Sequence, residues 1–284
     1  MRHRVLIPTD FSDNAWNAID YAISLYSGEE TVFFLLNSYS PNAINPGEVM
    51  TSSAATKTLL DAVKSSSKAG LKKSLEKILS GKTDKKHTFE AISKFDYFAS
   101  AVAEVCREEK IDMVVMGTSG SSGLKEILVG SNTASLIGKI ESPLLAIPES
   151  ARFSPPKEIG FATDYNTKYK KKNLEVLFRI AGKFTSDIRI YHVLQKKDTL
   201  TEKNKQVRAE MEKRFSGHNH SFFLLTDTSL SDATRIFIES RNIQLLCMIA
   251  KKHSFLQHLF GMSHTRDMCY HIDIPLLILQ NEAG

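Results

Sequence analysis

Three segments from the first half of this 284-residue chain recur in the second half, in the same order. A chain of this length is about twice the size of a compact domain, so the recurrence predicts two copies of one fold. We place the predicted domains at 1–149 and 157–284, and the residues 149–156 between them, with two adjacent prolines, have the composition of a linker. The recurring pairs are VLIPTDFS at 5–12 with IGFATDYN at 159–166, IDMVVM at 111–116 with IQLLCM at 243–248, and SPLLAI at 142–147 with IPLLIL at 274–279.

Short apolar runs alternate with helical patterns in both copies. The runs are continuously apolar, which is typical of strands covered on both faces, and strict β–α alternation predicts a parallel sheet with helices on both sides. Ser12 is placed to cap the first helix through its hydroxyl. Strands are predicted at 4–8, 31–38, 87–92, 112–117 and 143–147, and again at 158–162, 187–193, 220–225, 244–249 and 275–279, with helices near 12–27, 52–80, 97–109 and 130–140.

Two predicted strand ends carry residues suited to a ligand, and open parallel sheets bind ligands at this edge. The first strand ends in Pro8-Thr9-Asp10, where the carboxylate of Asp10 can accept hydrogen bonds from ribose hydroxyls. The fourth strand enters a stretch rich in glycine and serine, and the helix that follows offers free N–H groups for phosphate oxygens. Ser131 and Thr133 can add hydroxyl donors, and Lys125 a positive charge. From the spacing of the glycines alone, the alternative to a ligand site is a flexible connection followed by a capped helix.

The spacing Gly117-x2-Gly120-x9-Gly130-Ser131 resembles the G-2x-G-9x-G-[S/T] motif of the universal stress protein A family, in its ATP-binding branch. The first strand with its turn, at 5–12, and the closing strand, at 142–147, resemble that family too. The resemblance implies a doubly wound, five-stranded α/β domain with strand order 3-2-1-4-5, present twice. It also implies ATP or AMP as the ligand, dimer-like packing of the two domains, and a role in stress adaptation.

The same resemblance assigns roles to individual positions. The first strand end would hold adenosine, the end of the second strand would line the base pocket, and the fourth strand with its glycine loop would surround ribose and phosphates. Mg²⁺ is a candidate companion ion, held with help from Asp10. The implied nucleotide-binding residues are Pro8, Thr9, Asp10, Ser38, Met116, Gly117, Gly120, Gly130, Ser131 and Asn132.

The second copy departs from this pattern. Asp164 is retained after the first strand, and His192-Val193 stands where the second strand should end. The glycine loop is not retained, because bulky or long residues replace its first two glycines and the loop is shorter. We therefore predict a degenerate second copy that does not bind ATP in the same way. Its basic residues at 251–253 and the apolar residues at 255–260 leave open a different ligand or partner.

Composition narrows the other possibilities. The 37 basic residues are interspersed with 32 acidic ones, so no specific nucleic acid is expected. The three cysteines form neither a disulfide framework nor a CxxC pair. No apolar run reaches the roughly 18 residues that span a bilayer, and a cytoplasmic location is the simplest expectation. His218 and His220 are the most suggestive metal ligands, but no zinc spacing accompanies them, and no metal site is predicted.

Three functions follow as hypotheses. The first is a regulatory protein in which the first domain binds an adenine nucleotide. The second is a weak ATPase, although no catalytic residue can be assigned. The third is a scaffold that dimerises and whose second domain binds a non-nucleotide ligand or a partner. Pairing of the two domains within one chain and pairing of two chains both remain open.

Overall fold

The computed structural model describes residues 2–40, 53–81, 84–118, 131–165, 171–194, 199–250 and 273–280. In the first half, strands and helices alternate as β1 (His3–Pro8), α1 (Asp13–Leu25), β2 (Thr31–Tyr39), α2 (Ser53–Ser80), β3 (His87–Phe95), α3 (Phe98–Glu108), β4 (Met113–Gly117), α4 (Ser131–Leu136) and β5 (Leu144–Ile147). The second half contributes β6 (Glu158–Ala162), α5 (Lys171–Phe184), β7 (Asp187–Val193), α6 (Glu202–Phe215), β8 (His220–Leu225), α7 (Leu230–Arg241), β9 (Leu245–Ala250) and β10 (Leu276–Gln280).

The ten strands of the described residues form one sheet, in the order β3-β2-β1-β4-β5-β10-β9-β6-β7-β8. The first half therefore has the predicted order 3-2-1-4-5, and the second half repeats it in the opposite direction. Neighbouring strands are parallel except β5 and β10, which pair antiparallel with Leu145 opposite Leu277. The predicted α/β fold with a doubly wound, mostly parallel sheet in each copy is confirmed.

Helices cover both faces of the sheet because successive strand residues point to opposite faces. On one face, Val5 and Ile7 of β1 pack with α1, α2, α5 and α6. On the other, Leu6 packs with α3, α4 and α7. Each apolar cluster runs through both halves, so the two copies share a continuous core on each side of the sheet.

The predicted element bounds hold with two differences. Strand β3 continues to Phe95 because its register with β2 extends as far as the Tyr39 and Phe95 pair. Helix α4 ends at Leu136, before the predicted end at 140, and the chain then turns through Gly138, whose φ is +75°. A left-handed residue of this kind ends a helix, and glycine adopts it without steric cost.

The segment that joins the two halves is packed against helices. The side-chain amide of Asn17, in α1, donates to the carbonyl oxygens of Pro148 and Ala151 at 3.1 and 2.9 Å. Phe153 packs its ring edge against Tyr21, with centroids 5.2 Å apart. Within the residues that the model describes, no helix has both the length and the apolar character needed to span a membrane.

Candidate functional site

The predicted ligand site lies where the winding of the first half reverses. The chain passes from β1 through α1 to β2 on one side, whereas β4 lies on the other side of β1. Parallel pairing directs the carboxyl ends of β1, β2 and β4 to the same edge of the sheet. Pro8 stands beside Leu36 in the register, and Leu6 beside Val114. The predicted residues at 8–10, 38 and 116–117 therefore converge on one edge.

A tight corner follows β1. The backbone N–H of Thr9 donates to the carbonyl of Leu36 at 2.8 Å, and the amide of Asn37 donates to the Thr9 carbonyl at 2.7 Å. The Thr9 hydroxyl oxygen accepts from the N–H of Phe11 at 3.0 Å, and Phe11 has a φ of 67°. Thr9 is 7% exposed and uses its N–H, carbonyl and hydroxyl groups inside the corner, so its role is to fix the backbone.

Asp10 is the exposed member of the predicted adenosine-binding trio, since Pro8 and Thr9 are buried. Its Oδ1 accepts from the backbone N–H and the hydroxyl of Ser12, at 3.0 and 2.6 Å. Ser12 in turn caps α1 as predicted, accepting from the N–H of Ala15 at 3.2 Å. These bonds fix the direction of the Asp10 carboxylate at the edge of the sheet.

The end of β4 is closely packed against α1. A Cβ added to Gly117 would lie 2.5 Å from the side-chain nitrogen of Asn14, so this glycine makes room for the first turn of α1. The sequence suggested that Gly117 allows a ligand to approach, whereas its described surroundings show a packing reason. Met116 is 6% exposed and belongs to the core, and Ser38 is half-buried at the end of β2.

The glycine loop itself, with Gly120, Lys125 and Gly130, lies outside the described residues. At the start of α4, the side chains of Ser131 and Asn132 are exposed. Thr133, which the sequence offered as a hydroxyl donor, is fully buried and faces away from solvent. Among the described residues, neither the Thr133 hydroxyl nor the buried Thr118 hydroxyl has a hydrogen-bond partner.

The second half builds the same corner after β6. The N–H of Thr163 donates to the Tyr191 carbonyl at 3.0 Å, and the Thr163 hydroxyl accepts from the N–H of Tyr165 at 3.1 Å. Tyr165 has a φ of 51° and is 2% exposed. Nδ1 of His192 lies 2.7 Å from the Thr163 carbonyl, and the His192 ring packs on Tyr165 with centroids 4.7 Å apart.

The end of β9 differs from the end of β4. Ile249, which stands where the first copy has Gly117, is 7% exposed and part of the core. The rest of the second loop, including the basic residues at 251–253, the apolar residues at 255–260 and Gly261, lies outside the described residues.

Comparison of the two corners identifies one residue that sequence reasoning missed. Ser38 was assigned to the end of β2, but the side chain that contacts the β1 corner is that of its neighbour, Asn37. The sequence did contain a signal for this residue. Asn37 and His192 occupy the same position in the two copies, one residue before the predicted ends of the strands at 31–38 and 187–193.

A groove of about 640 Å³ lies at the opposite, amino-terminal edge of the sheet, between the first half and α5 of the second half. Apolar residues such as Ile111, Ile140 and Val176 line it together with side chains of both charges, including Lys139 and Glu141. The C-terminal end of α3 points toward this edge, and the partial negative charge of a helix C-terminus favours the basic residue Arg107 there without a ligand. The convergence of strand ends lies at the other edge.

The histidines considered as metal ligands have other contacts. The His218 ring stacks on Phe178 with centroids 4.5 Å apart, and burial lowers the pKa of His218. His220 pairs with Glu212 at 3.2 Å. In the described ranges, no three His, Cys, Asp or Glu side chains are grouped closely enough to hold a metal ion.

Residues 1–148 match the model of the universal stress protein family. The chain belongs to this family. Two curated relatives from Methanocaldococcus jannaschii are similar to about half of the chain: universal stress protein MJ0577 is 27% identical over 169 residues, covering 52% of this chain and 95% of its own length. Universal stress protein MJ0531 is 26% identical over 149 residues, covering 51% of this chain and 81% of its own length.

The fold extends through both halves. The crystal structure of a universal stress protein from Archaeoglobus fulgidus aligns with 98% of this chain and 98% of its own, with a TM-score of 0.68 and 17% identity. At this identity the likeness shows the fold, and it extends beyond residues 1–148 into the second half.

Proposed function

We propose that this universal stress protein binds an adenine nucleotide, ATP or AMP, at the carboxyl ends of β1 and β4, and that binding serves a regulatory role in the stress response. One observation carries the proposal. The corner at Thr9–Asp10, after β1, and the end of β4 at Gly117 lie at the same edge of the sheet, where the direction of winding reverses. In the sequence, the intact glycine motif of this family begins at Gly117.

The described contacts divide the proposed site into a frame and a contact surface. Buried Pro8, Thr9 and Met116 set the positions of the strand ends, and Gly117 lets α1 approach β4. Asp10, with its carboxylate held by Ser12, is suited to accept from ribose hydroxyls.

The exposed residues complete the contact surface. Half-buried Ser38 is proposed to line the base pocket, while exposed Ser131 and Asn132 stand where the phosphates would approach. Gly120 and Gly130 are assigned from the sequence motif, because a backbone without Cβ atoms lets N–H groups reach phosphate oxygens. Mg²⁺ would accompany ATP and partly neutralise its phosphates.

We propose one nucleotide site per chain. The domain at 157–284 keeps Asp164 but has Ile249 in place of Gly117, and its loop lacks the first two motif glycines. A buried isoleucine fills space at this strand end that the glycine of the first domain leaves to α1. The domain at 1–149 therefore carries the site, and the second domain is proposed to act through packing or partner contacts.

Calorimetric titration of the nucleotide-free full chain with ATP, with and without Mg²⁺, tests the proposal. We expect saturable binding at about one site per chain, and AMP as competitor distinguishes the two ligands. The variant Gly130→Leu should weaken binding at least about 100-fold, since a bulky side chain would displace the phosphates from several charge-assisted hydrogen bonds.

The matched control is Gly261→Leu, at the glycine that the second copy retains. It should leave ATP affinity within about twofold of the wild type, a change below 0.5 kcal/mol. Two sites per chain, or equal losses in both variants, would contradict the assignment to the first domain. Absence of any binding by the wild-type chain would contradict the proposal as a whole.

A further inference from the structure

We propose that Asn37 is a positioning residue for the nucleotide site, fixing the β1 corner on which Asp10 stands, and that a histidine can replace it. The inference rests on the proposed function, because the ligand is the one proposed above. It concerns a residue outside the family motif and outside the residues assigned from it.

The contact itself joins two strands. Asn37 lies in β2, and its side-chain Nδ2 donates to the Thr9 carbonyl at 2.7 Å, across a separation of 28 residues. The N–H of Thr9 donates back to β2 at Leu36, at 2.8 Å. The peptide groups on both sides of Thr9 are therefore tied to the same strand, and the backbone of Asp10 begins from a fixed point.

Without the amide of Asn37, the corner would keep one tie to β2 instead of two. The φ of 67° at Phe11 is strained for a residue with a side chain, and only surrounding contacts keep the chain in that conformation. Rotation of the Thr9–Asp10 peptide would move the Asp10 carboxylate away from the position that Ser12 now fixes. A ligand held by this carboxylate would lose affinity.

The second half provides an internal replicate. His192 occupies the position of Asn37 in β7, and its Nδ1 makes the same contact with Thr163, also at 2.7 Å. A carbonyl oxygen only accepts, so Nδ1 of His192 carries the proton and donates. The corner that follows has the same hydroxyl contact, with Tyr165 at φ 51° in place of Phe11. The amide of Asn37 and the imidazole of His192 thus support the same corner geometry. Since the two side chains share the ability to donate a hydrogen bond, we infer that donation is what the position requires.

The test compares three substitutions in the full-length chain. Asn37→Ala removes the donor and should raise the Kd for ATP about tenfold, which corresponds to about 1.4 kcal/mol. Asn37→Asp keeps the size but presents a carboxylate to the Thr9 carbonyl, and the Kd should rise further. Asn37→His restores a donor of the kind used in the second half, and the Kd should return to within about threefold of the wild type.

Ser142→Ala is the matched control. It removes another buried side-chain donor to a backbone carbonyl, the Ser142 hydroxyl that donates to Ile111 at 2.7 Å, just before β5 at the opposite, amino-terminal edge of the sheet. Thermal unfolding is measured for every variant, so that a loss of stability is separated from a loss of affinity. The control should lower stability about as much as Asn37→Ala and leave the Kd unchanged.

The outcomes separate this inference from the proposed function. A wild-type chain that binds ATP, with Asn37→Ala binding equally well, overturns the role of Asn37 and leaves the nucleotide site intact. Failure of Asn37→His to improve on Asn37→Ala also overturns it, because donor identity would then not be the cause. A wild-type chain that binds no ATP overturns both proposals.

Discussion

The corner after β1 and the corner after β6 share one backbone arrangement but differ in the burial of the aromatic residue at the tip. Phe11 is 41% exposed, whereas Tyr165 is 2% exposed and packs against His192. Phe11 lies against α2 at Gly70, where an added Cβ would come within 2.5 Å of its ring. In the second half, α6 comes close instead, with Asn204 donating to the Tyr165 carbonyl at 3.3 Å.

The difference shows that a repeated corner can keep its backbone hydrogen bonds while the side chains around it change. The threonine hydrogen bonds depend on the backbone and one donor from the next strand, so they persist in both halves. The side chains around the corner do not take part in these hydrogen bonds, so they can differ between the two halves. The first corner leaves an exposed edge beside Asp10, while the second covers its edge with Tyr165 and His192.

The largest expected effect tests this contrast directly. Tyr165→Ala should lower the free energy of unfolding by about 4 kcal/mol, because it removes a buried aromatic ring and leaves a cavity. Phe11→Ala should cost about 1 to 2 kcal/mol, since this ring is already partly in water. Urea unfolding of both variants measures the difference. Equal losses would show that the two tips are packed alike and would break the comparison.

A second contrast involves two glycines, whose substitution by alanine should change the stability of the chain in opposite directions. Gly117→Ala should destabilise the chain by about 2 kcal/mol, because the new Cβ meets Asn14 at 2.5 Å. Gly182→Ala, in α5 of the second half, meets nothing within 4 Å and should stabilise by about 0.5 kcal/mol through helix propensity. Thermal unfolding gives both signs, and a stabilised Gly117→Ala variant would contradict the close packing of α1 on β4.

The smallest expected effect concerns the ion pairs between the two halves. The first half contributes the carboxylate of these pairs, and the second half contributes the cations. The Glu29 carboxylate of the first half contacts Arg179 and Lys183 of α5 at 3.0 and 2.5 Å, and His3 at 2.9 Å. Burial by itself would raise the pKa of Glu29, but the hydrogen bond from Lys183 and the two nearby charges outweigh it, so the pKa is lowered. Burial and the nearby charge of Arg179 also lower the pKa of His3.

Glu29→Gln should therefore cost about 1 kcal/mol at pH 7. A carboxylate whose pKa is lowered by folding stabilises above its unfolded pKa, about 4.3 for glutamate, and loses that contribution as pH falls below it. The stability difference between wild type and Glu29→Gln should shrink toward zero as the pH falls from about 4.3 through the lowered pKa of Glu29 in the folded chain. A difference that is constant with pH would exclude a charged Glu29 as its source.

Much of the fold was predictable because its signals are local. Nine of the ten strands lie within one residue of the predicted ranges, since apolar runs bounded by polar residues mark strands buried on both faces. The end of β3 was missed because it depends on pairing with β2 through Tyr39 and Phe95. The end of α4 was missed because Gly138 turns the chain early.

For the site, the sequence indicated the strand ends and the motif but not the function of each residue. Gly117 was assigned to the ligand site and has in addition a packing reason in Asn14, and Thr133, offered as a hydroxyl donor, is fully buried. Neither feature could be read from the motif. The space around a residue is set by elements distant in sequence, and a motif does not describe them.

The sequence by itself determined the repeat, the β–α alternation, the family and the position of the corner residues, because each is encoded in neighbouring residues. Only the tertiary structure decided that β5 and β10 join the halves in one sheet, that Asn37 and His192 hold equivalent corners, and that Tyr165 is covered while Phe11 is not. Those contacts depend on strand register and helix position, which bring together side chains far apart in the chain.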